Sequence, residues 1–109
     1  MHLALAGFIA IAVLTQVATS RLEGIIEDPS GAVVPDATIT AENEKNGWRG
    51  TLFSNSQGFY VFPSLAAGEY RVTVEAQGFR QAVLTGVMLN VAATTTAPFR
   101  LEIGSAEER

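Results

Sequence analysis

Two adjacent β-strands are predicted by residues 58–76, which read GFYVFPSLAAGEYRVTVEA. The second half alternates between apolar side chains at the even positions from 70 to 76 and polar side chains between them. This period of two, with β-branched and aromatic residues, is typical of a strand with one buried face. In the first half, Tyr60 and Phe62 point to the same face, where each ring would contribute about 1.5–3 kcal/mol if fully buried. Pro63 is expected to end the first strand, because proline cannot donate a ladder hydrogen bond.

The same alternation predicts strands on both sides of this stretch. The predicted strands cover residues 22–27, 37–42, 48–54, 59–62, 69–76, 87–91 and 99–103, with 48–54 and 59–62 joined as a hairpin. Turn residues separate them, for example the DPSG sequence at 28–31. The threonine-rich run at 93–97 is interpreted as a turn or a strand edge. About seven short strands without a helical period after residue 20 predict an all-β fold, a seven-stranded antiparallel sandwich of two sheets.

Glycines stand at fixed distances from the aromatic residues of these strands. Gly58 precedes Tyr60 by two residues, and the same spacing recurs before the second strand. Gly78 is predicted to end that strand, and Phe79 to cover the open end of the sandwich. We interpret the following residues as a structural motif of turns and core rather than as a binding site: Gly58, Tyr60, Phe62, Gly68, Tyr70, Gly78 and Phe79.

Composition limits the classes of protein to which these 109 residues can belong. The net charge is −4, there is no cysteine, and 48% of the residues are hydrophobic. This suits one small folded domain and excludes a multidomain enzyme, a doubly wound nucleotide-binding fold and a complete membrane barrel. Without cysteine, a disulfide scaffold and cysteine-based metal sites are excluded. The acidic balance, with a single lysine, argues against nucleic-acid binding.

Residues 1–20 are predicted to be a signal peptide. Leu3 to Leu14 is uncharged and apolar, which suits a secretory segment but is shorter than the roughly 20 residues that span a bilayer. Ala18 to Ser20 supplies small residues, and we place the cleavage before Arg21. No lysine or arginine precedes the apolar run, so an uncleaved buried helix or an interfacial anchor is the alternative interpretation. The prediction is an exported protein.

No catalytic centre is predicted. His2 is the single histidine and lies in the predicted signal peptide, so nucleophile–base pairs and zinc sites lack their usual residues. Two neighbouring acids, Glu42 and Glu44, are interpreted as solvated surface charge. Lys45 lies in a polar loop, which argues against an isopeptide cross-link. We therefore predict that the chain is not an enzyme and has no catalytic residue, cofactor or metal.

The sequence offers two binding hypotheses, a carbohydrate site and a calcium site. Trp48 is the candidate aromatic platform for a sugar, and Arg49 beside it could donate a hydrogen bond to a hydroxyl or a carboxylate. The alternative is that the indole packs at the edge of the sandwich. Calcium could use Glu27, Asp28 and Asp36, but their spacing matches no EF-hand pattern.

An ordered set of segments resembles the carboxypeptidase regulatory-like domain, a seven-stranded transthyretin-like sandwich of the carbohydrate-binding-like type. The resemblance covers nearly all of residues 22–104. It is carried by residues 24–39, 58–65, 67–74, 76–79 and 87–91. Two departures are Asp36, where the family usually has glycine, and Ser54, where threonine is usual; the first predicts an altered corner. We accordingly assign residues 21–104 to one such domain.

The resemblance is closest to the amino-terminal domain of Oar-like TonB-dependent outer-membrane receptors of Gram-negative bacteria, in which a signal peptide leads directly into this domain. It implies a non-catalytic accessory domain in the periplasm or outer membrane, or a secreted one if free-standing. The implied partner is a periplasmic or outer-membrane protein, or the plug and barrel of the same receptor. Residues 105–109 are interpreted as a tail, and the sequence as either a truncated receptor or a free-standing module.

Overall fold

The computed structural model describes residues 18–104, and these residues fold without a helix. The predictions for residues 1–17 and for the tail at 105–109 lie outside the described residues. The strands are β1 (Thr19–Glu27), β2 (Thr38–Asn43), β3 (Arg49–Phe53), β4 (Phe59–Ala66), β5 (Gly68–Glu75), β6 (Ala82–Leu89), β7 (Thr94–Thr96) and β8 (Phe99–Arg100). Nowhere between residues 18 and 104 is there a helix that is long and apolar enough to cross a membrane.

The strands form two sheets that pack face to face, so the predicted all-β sandwich is confirmed. The first sheet has the order β4-β1-β7, with β8 also paired to β1, and the second has the order β3-β2-β5-β6. Within each sheet the alternation seen in the sequence directs one face inward. In β5, for example, Tyr70, Val72 and Val74 are all buried, whereas Arg71 and Glu75 face solvent.

The predicted hairpin between residues 48–54 and 59–62 is wrong. β3 pairs with β2, with Thr51 opposite Thr40, whereas β4 pairs with β1 in the other sheet, with Tyr60 opposite Gly24. The connection is therefore an arch between the sheets. A strand–turn–strand pattern is the same for a hairpin and an arch. At the start of the arch, the Ser54 hydroxyl accepts from the Ala37 amide and donates to the Val34 oxygen, in the segment before β2.

The carboxyl-terminal part differs from the single antiparallel strand predicted at 99–103. It forms β7 and β8, both parallel to β1, with Thr95 opposite Leu22 and Phe99 opposite Ile26. Pro98 stands between β7 and β8 and has no amide hydrogen to donate. The fold thus has eight strands over the described residues, and its first sheet is mixed.

Two further strand boundaries differ from the prediction. β4 does not end at Pro63 but continues to Ala66. Its register with β1 shifts by a bulge between the pair Ser20–Leu65 and the pair Leu22–Phe62. Proline is tolerated there because β4 is an edge strand with a bulge. β6 begins at Ala82 instead of residue 87. The prediction missed its first half because Gly86, with a φ of 69°, interrupts the alternation.

Tyrosine side chains cross the core and end on backbone carbonyls. Tyr60 is 1% exposed, and its hydroxyl donates to the Ala97 oxygen at 2.5 Å. Tyr70 is equally buried and donates to the Ala66 oxygen at 2.7 Å. Burial raises the pKa of Tyr60 above its ordinary value of 10, so the phenol keeps its proton, and the hydrogen bond it donates, into more alkaline solution. Each ring thus contributes apolar contact while its polar end is satisfied.

Asp36 occupies a corner with left-handed backbone conformation. Its φ is 59°, in the region that favours glycine but that aspartate tolerates better than most residues. Its amide donates to the Ser54 oxygen at 3.0 Å. The glycine-type geometry is therefore kept although the glycine is replaced.

The first strand begins at Thr19, two residues before the predicted cleavage point. The Thr19 oxygen accepts a hydrogen bond from the Ala92 amide at 2.8 Å, and the Ser20 hydroxyl donates to the Ala93 oxygen at 3.2 Å. A chain that starts at Arg21 loses these bonds and the end of the β1–β4 ladder.

We expect a chain beginning at Arg21 to be about 1–2 kcal/mol less stable than one beginning at Ala18, because each lost bond contributes about 0.5–1.5 kcal/mol, partly offset by the entropy of ordering two residues. Urea unfolding of the two chains measures the difference. Equal midpoints and slopes would mean that residues 18–20 add nothing to the folded domain.

Candidate functional site

The candidate platform, Trp48, lies at the end of the loop between β2 and β3. Its amide donates to Asn46 Oδ1 at 2.9 Å, and its carbonyl accepts from the Asn43 amide at 2.7 Å. The indole lies over Gly50, where a Cβ atom would collide with it, and meets the Tyr70 ring edge-on at 6.4 Å. The residue is 46% exposed. One part of the indole is therefore packed at the sandwich edge, and the remainder is open to a ligand.

Arg49, the second candidate residue, already has a partner. Its Nε and Nη2 atoms donate to Glu42 Oε2 at 3.0 and 2.6 Å. Arg71 approaches Glu42 at 3.7 Å and Glu44 at 3.8 Å. The four side chains form a network of charges on the outer face of the second sheet. Exposed pairs of this kind contribute about 0–1 kcal/mol each, so the network orients Arg49 more than it stabilises the fold.

An open cleft of about 490 Å³ also borders the loop between β2 and β3. It is lined by Asn43, Glu44, Lys45, Asn46, Ala67, Gly68 and Glu69. Neither Trp48 nor Arg49 lines it, so the aromatic ring and the cleft are separate features. The candidate sugar site consists of a half-exposed ring with one charged neighbour.

Asp28 and Glu27, near the first turn, already have partners within the domain. Asp28 Oδ1 accepts from the Ser30 amide at 2.8 Å, the Ser30 hydroxyl at 2.6 Å and the Ala32 amide at 3.0 Å. Glu27 lies 3.9 Å from Arg100. Across the part of the chain that the structure describes, no group of three or more potential metal ligands comes together.

These hydrogen bonds predict acid sensitivity. The Ser30 hydroxyl, together with the backbone amides of the turn, holds the pKa of Asp28 below its ordinary value of 3.8. The hydrogen bond and charge of Arg49 likewise lower the pKa of Glu42. A carboxyl group with a lowered folded-state pKa stabilises the fold above its unfolded-state pKa, and this contribution is lost as the pH falls through the folded-state pKa.

We therefore expect the thermal midpoint to stay constant at neutral pH and to fall below about pH 4. The Asp28→Asn variant is expected to lose less stability over this acidic range than the parent chain, because it has no carboxylate to protonate at the turn. Thermal unfolding of both chains between about pH 7 and pH 2.5 tests this. Parallel curves for the two proteins would contradict the role given to Asp28.

The structural-motif residues lie in the core and at turns. Tyr60, Phe62 and Tyr70 are buried between the sheets, and Phe79 is half-buried against the same cluster, where it bridges to Ile103. Gly58, Gly68 and Gly78 all have positive φ values. At Gly58 a side chain would also meet the Ile26 oxygen at 2.8 Å. These residues are thus occupied by packing and turn geometry.

A free strand edge is a second candidate surface, which the sequence prediction did not locate. β6 is eight residues long, has no charged residue and forms one edge of the second sheet. Val83, Leu84 and Met88 on it are 50%, 41% and 53% exposed. The other edge strands differ from β6. Pro63 interrupts β4, β3 starts with the charged Arg49, and β7 and β8 have only three and two residues. Such devices discourage strand addition, and β6 has only the bulge at Gly86.

Comparison with known proteins gives a family and a fold. The family model for the carboxypeptidase regulatory-like domain matches residues 21–102. No curated protein matches the sequence. Among solved structures, the Bacillus anthracis TIE protein is similar with a TM-score of 0.68 and 16% identity, over 79% of this chain and 17% of that one. A proposed carbohydrate-binding protein from Bacteroides uniformis has a TM-score of 0.62 and 17% identity, over 74% of this chain and 40% of that one.

A smaller protein shares the same architecture. The 5-hydroxyisourate hydrolase of Klebsiella pneumoniae has a TM-score of 0.59 and 26% identity, over 79% of this chain and 87% of that one. The sandwich is therefore of the transthyretin-like type. The chain spans 17% and 40% of the first two similar structures, so it corresponds to one part of those larger proteins.

Proposed function

Because the chain belongs to the carboxypeptidase regulatory-like domain family, we propose that it is a non-catalytic interaction domain of an exported protein. We propose further that it is the amino-terminal module of a TonB-dependent outer-membrane receptor. The observation that carries the first proposal is that the conspicuous side chains already have partners within the domain. The aromatic residues of the motif are packed in or against the core, and its glycines form turns. The charged residues of the candidate site are paired with one another.

The catalytic alternative has little support in the residues. The sequence has no cysteine and one histidine, His2, so the usual bases and nucleophiles of hydrolases are scarce. The acidic pair Glu42 and Glu44 is bridged by Arg71. The hydrogen bond and charge of Arg49, together with the charge of Arg71, hold the pKa of Glu42 below its ordinary value, whereas general acid catalysis needs a carboxyl group that keeps its proton.

The β6 edge supports an interaction role. A partner can extend a sheet by adding an extended segment to a free edge, using backbone hydrogen bonds for affinity and side-chain pockets for specificity. An uncharged strand with exposed Val83 and Met88 suits such an addition. The partner we propose is a periplasmic or outer-membrane protein, or the plug of the same receptor.

Fractionation of source cells tests this proposal. An antibody raised against residues 21–109 should detect a large protein in the outer membrane if the domain belongs to a receptor. A small band in the periplasm or medium would refute the receptor assignment and leave a free-standing export module. A band confined to the cytoplasm would overturn both proposals.

Carbohydrate binding through Trp48 is the second candidate function. It is favoured by the 46% exposure of the ring and by the adjacent Arg49 guanidinium. One aromatic platform has to overcome the entropy cost of association almost alone, so we expect weak binding. The similar protein from Bacteroides uniformis supports the idea only at the level of the fold.

Tryptophan fluorescence tests this second function directly, because Trp48 is the single tryptophan. If Trp48 is the platform, a panel of oligosaccharides should include at least one that shifts its emission. Binding of that oligosaccharide, measured by calorimetry, should be lost in Trp48→Ala and kept in Phe53→Ala, which removes an exposed ring outside this site. If no oligosaccharide of the panel shifts the emission, Trp48 is not a sugar platform.

A further inference from the structure

The loop that carries Trp48 contains the one asparagine–glycine pair of the sequence, Asn46–Gly47. Asparagine followed by glycine is chemically labile, because the glycine amide nitrogen can attack the neighbouring side-chain carbonyl without hindrance from a side chain. We propose that Asn46 is a spontaneous deamidation site whose rate is controlled by the buried side chain of Asn43. This assignment does not depend on export or on the partner of the domain.

The reaction proceeds in two balanced steps. A solvent base removes the Gly47 amide proton, and the nitrogen forms a bond to Asn46 Cγ. The protonated base returns a proton to Nδ2, the Cγ–Nδ2 bond breaks, and ammonia leaves. Water then opens the resulting five-membered imide at either carbonyl, which yields aspartate or isoaspartate. Each event replaces a neutral amide with a carboxylate, and the isoaspartate product also lengthens the backbone by one methylene group.

In the folded loop both reacting groups are held by hydrogen bonds. The Gly47 amide, which must lose its proton, donates to the Asn43 oxygen at 2.9 Å. The Asn46 side chain, which must turn toward that nitrogen, accepts from the Trp48 amide through Oδ1 at 2.9 Å. Asn46 and Gly47 are nevertheless exposed to solvent, so water and base reach the loop. The rate is therefore limited by opening of the loop and not by access.

Asn43 holds the loop closed from the end of β2. Asn43 is only 4% exposed. Its side-chain oxygen, Oδ1, accepts hydrogen bonds from the amides of Lys45 and Asn46 at 2.9 and 3.1 Å. Its backbone amide donates to the Trp48 oxygen at 2.7 Å. Asn43 thus bonds to four positions of the loop, two through its side chain and two through its backbone. The side chain is the positioning group, because losing its two bonds would let the loop open more often.

The modification would change the candidate sugar site. A new carboxylate at position 46 joins a surface that already carries Glu42 and Glu44. The added methylene of isoaspartate displaces the bond from the Trp48 amide, and with it the indole that lies over Gly50. Deamidation of Asn46 should therefore change the fluorescence emission of Trp48.

The test compares the full chain folded in buffer with the same chain in urea at mildly alkaline pH. Peptide mass spectrometry follows conversion at position 46, and Asn46→Gln serves as the blank. We expect conversion in urea and conversion at least about tenfold slower in the folded chain, since local opening controls the rate. Equal rates in both conditions, or none in urea, would overturn the proposal.

Two variants test the part assigned to Asn43. Asn43→Ala should move the folded-state rate toward the rate in urea, whereas Asn43→Asp keeps acceptor oxygens for the loop amides and should preserve slow conversion. If Asn43→Ala does not fold, hydrogen exchange of the Gly47 amide in the parent chain replaces it. Protection of that amide should then match the slowing of deamidation, and an unprotected amide would contradict the mechanism.

Discussion

Replacing Gly24 with alanine is expected to destabilise the domain by about 3 kcal/mol or more, at the upper end of what overpacking costs. For a domain of this size, that corresponds to a fall in the thermal midpoint of about 12–24 °C. The new methyl group would collide with the Ala97 carbonyl oxygen and would lie 2.7 Å from Cε1 of Tyr60. Thermal unfolding followed by circular dichroism measures the effect.

The space at Gly24 is used by the Tyr60 side chain. Gly24 is buried in the inward face of β1, directly opposite Tyr60 in the ladder. The ring crosses this position to reach the Ala97 oxygen, which its hydroxyl contacts at 2.5 Å. The Ala97 amide is itself bonded to the Glu23 oxygen at 2.8 Å, so the backbone cannot withdraw without breaking a further hydrogen bond. The collision is thus with fixed backbone.

Gly50→Ala is the matched control for this prediction. It also sits in a strand, and its new methyl group would also collide with a neighbour, the outer atoms of the Trp48 indole. The indole is half exposed and can swing away, and alanine is otherwise no worse than glycine in a strand. We expect a cost below about 1 kcal/mol and a red shift of Trp48 emission. Equal destabilisation by the two variants would contradict the distinction between a fixed and a mobile neighbour.

Local sequence pattern predicted the strands and their buried faces but not every partner of each strand. The alternation from Tyr70 to Ala76 identifies an inward face because side-chain direction depends only on neighbouring residues. Whether residues 54–58 form a hairpin or an arch depends on bonds to distant residues, and no local pattern contains them. The parallel pairing of β7 and β8 with β1 escaped prediction for the same reason, since it joins opposite ends of the chain.

The candidate surfaces were only partly predictable. Sequence identified Trp48 and Arg49 by residue type, but the pairing of Arg49 with Glu42 and the contact of Trp48 with Gly50 required the fold. The β6 edge was missed because Gly86 interrupts the alternation and hides residues 82–85. That a strand lies at an edge is a property of the whole sheet, so even a correct strand boundary would not have indicated a free edge.

Replacing Ser54 with alanine is expected to cost about 2–4 kcal/mol, because it leaves two buried backbone groups without a partner at about 1–3 kcal/mol each. The Ser54 hydroxyl accepts from the Ala37 amide at 2.9 Å and donates to the Val34 oxygen at 2.8 Å. Ser54 itself is 3% exposed, and Ala37 is fully buried. Urea unfolding of the variant and the parent chain measures the loss.

Ser54→Thr separates the hydroxyl from the rest of the side chain. Threonine, the usual residue of the family at this position, keeps an oxygen for Ala37 and Val34, so we expect its stability to stay within about 1 kcal/mol of the parent chain. If threonine were as damaging as alanine, loss of the hydroxyl could not explain the alanine result. A large difference between the two variants would show that the buried hydroxyl, and not the volume of the side chain, ties the end of β3 to the segment before β2.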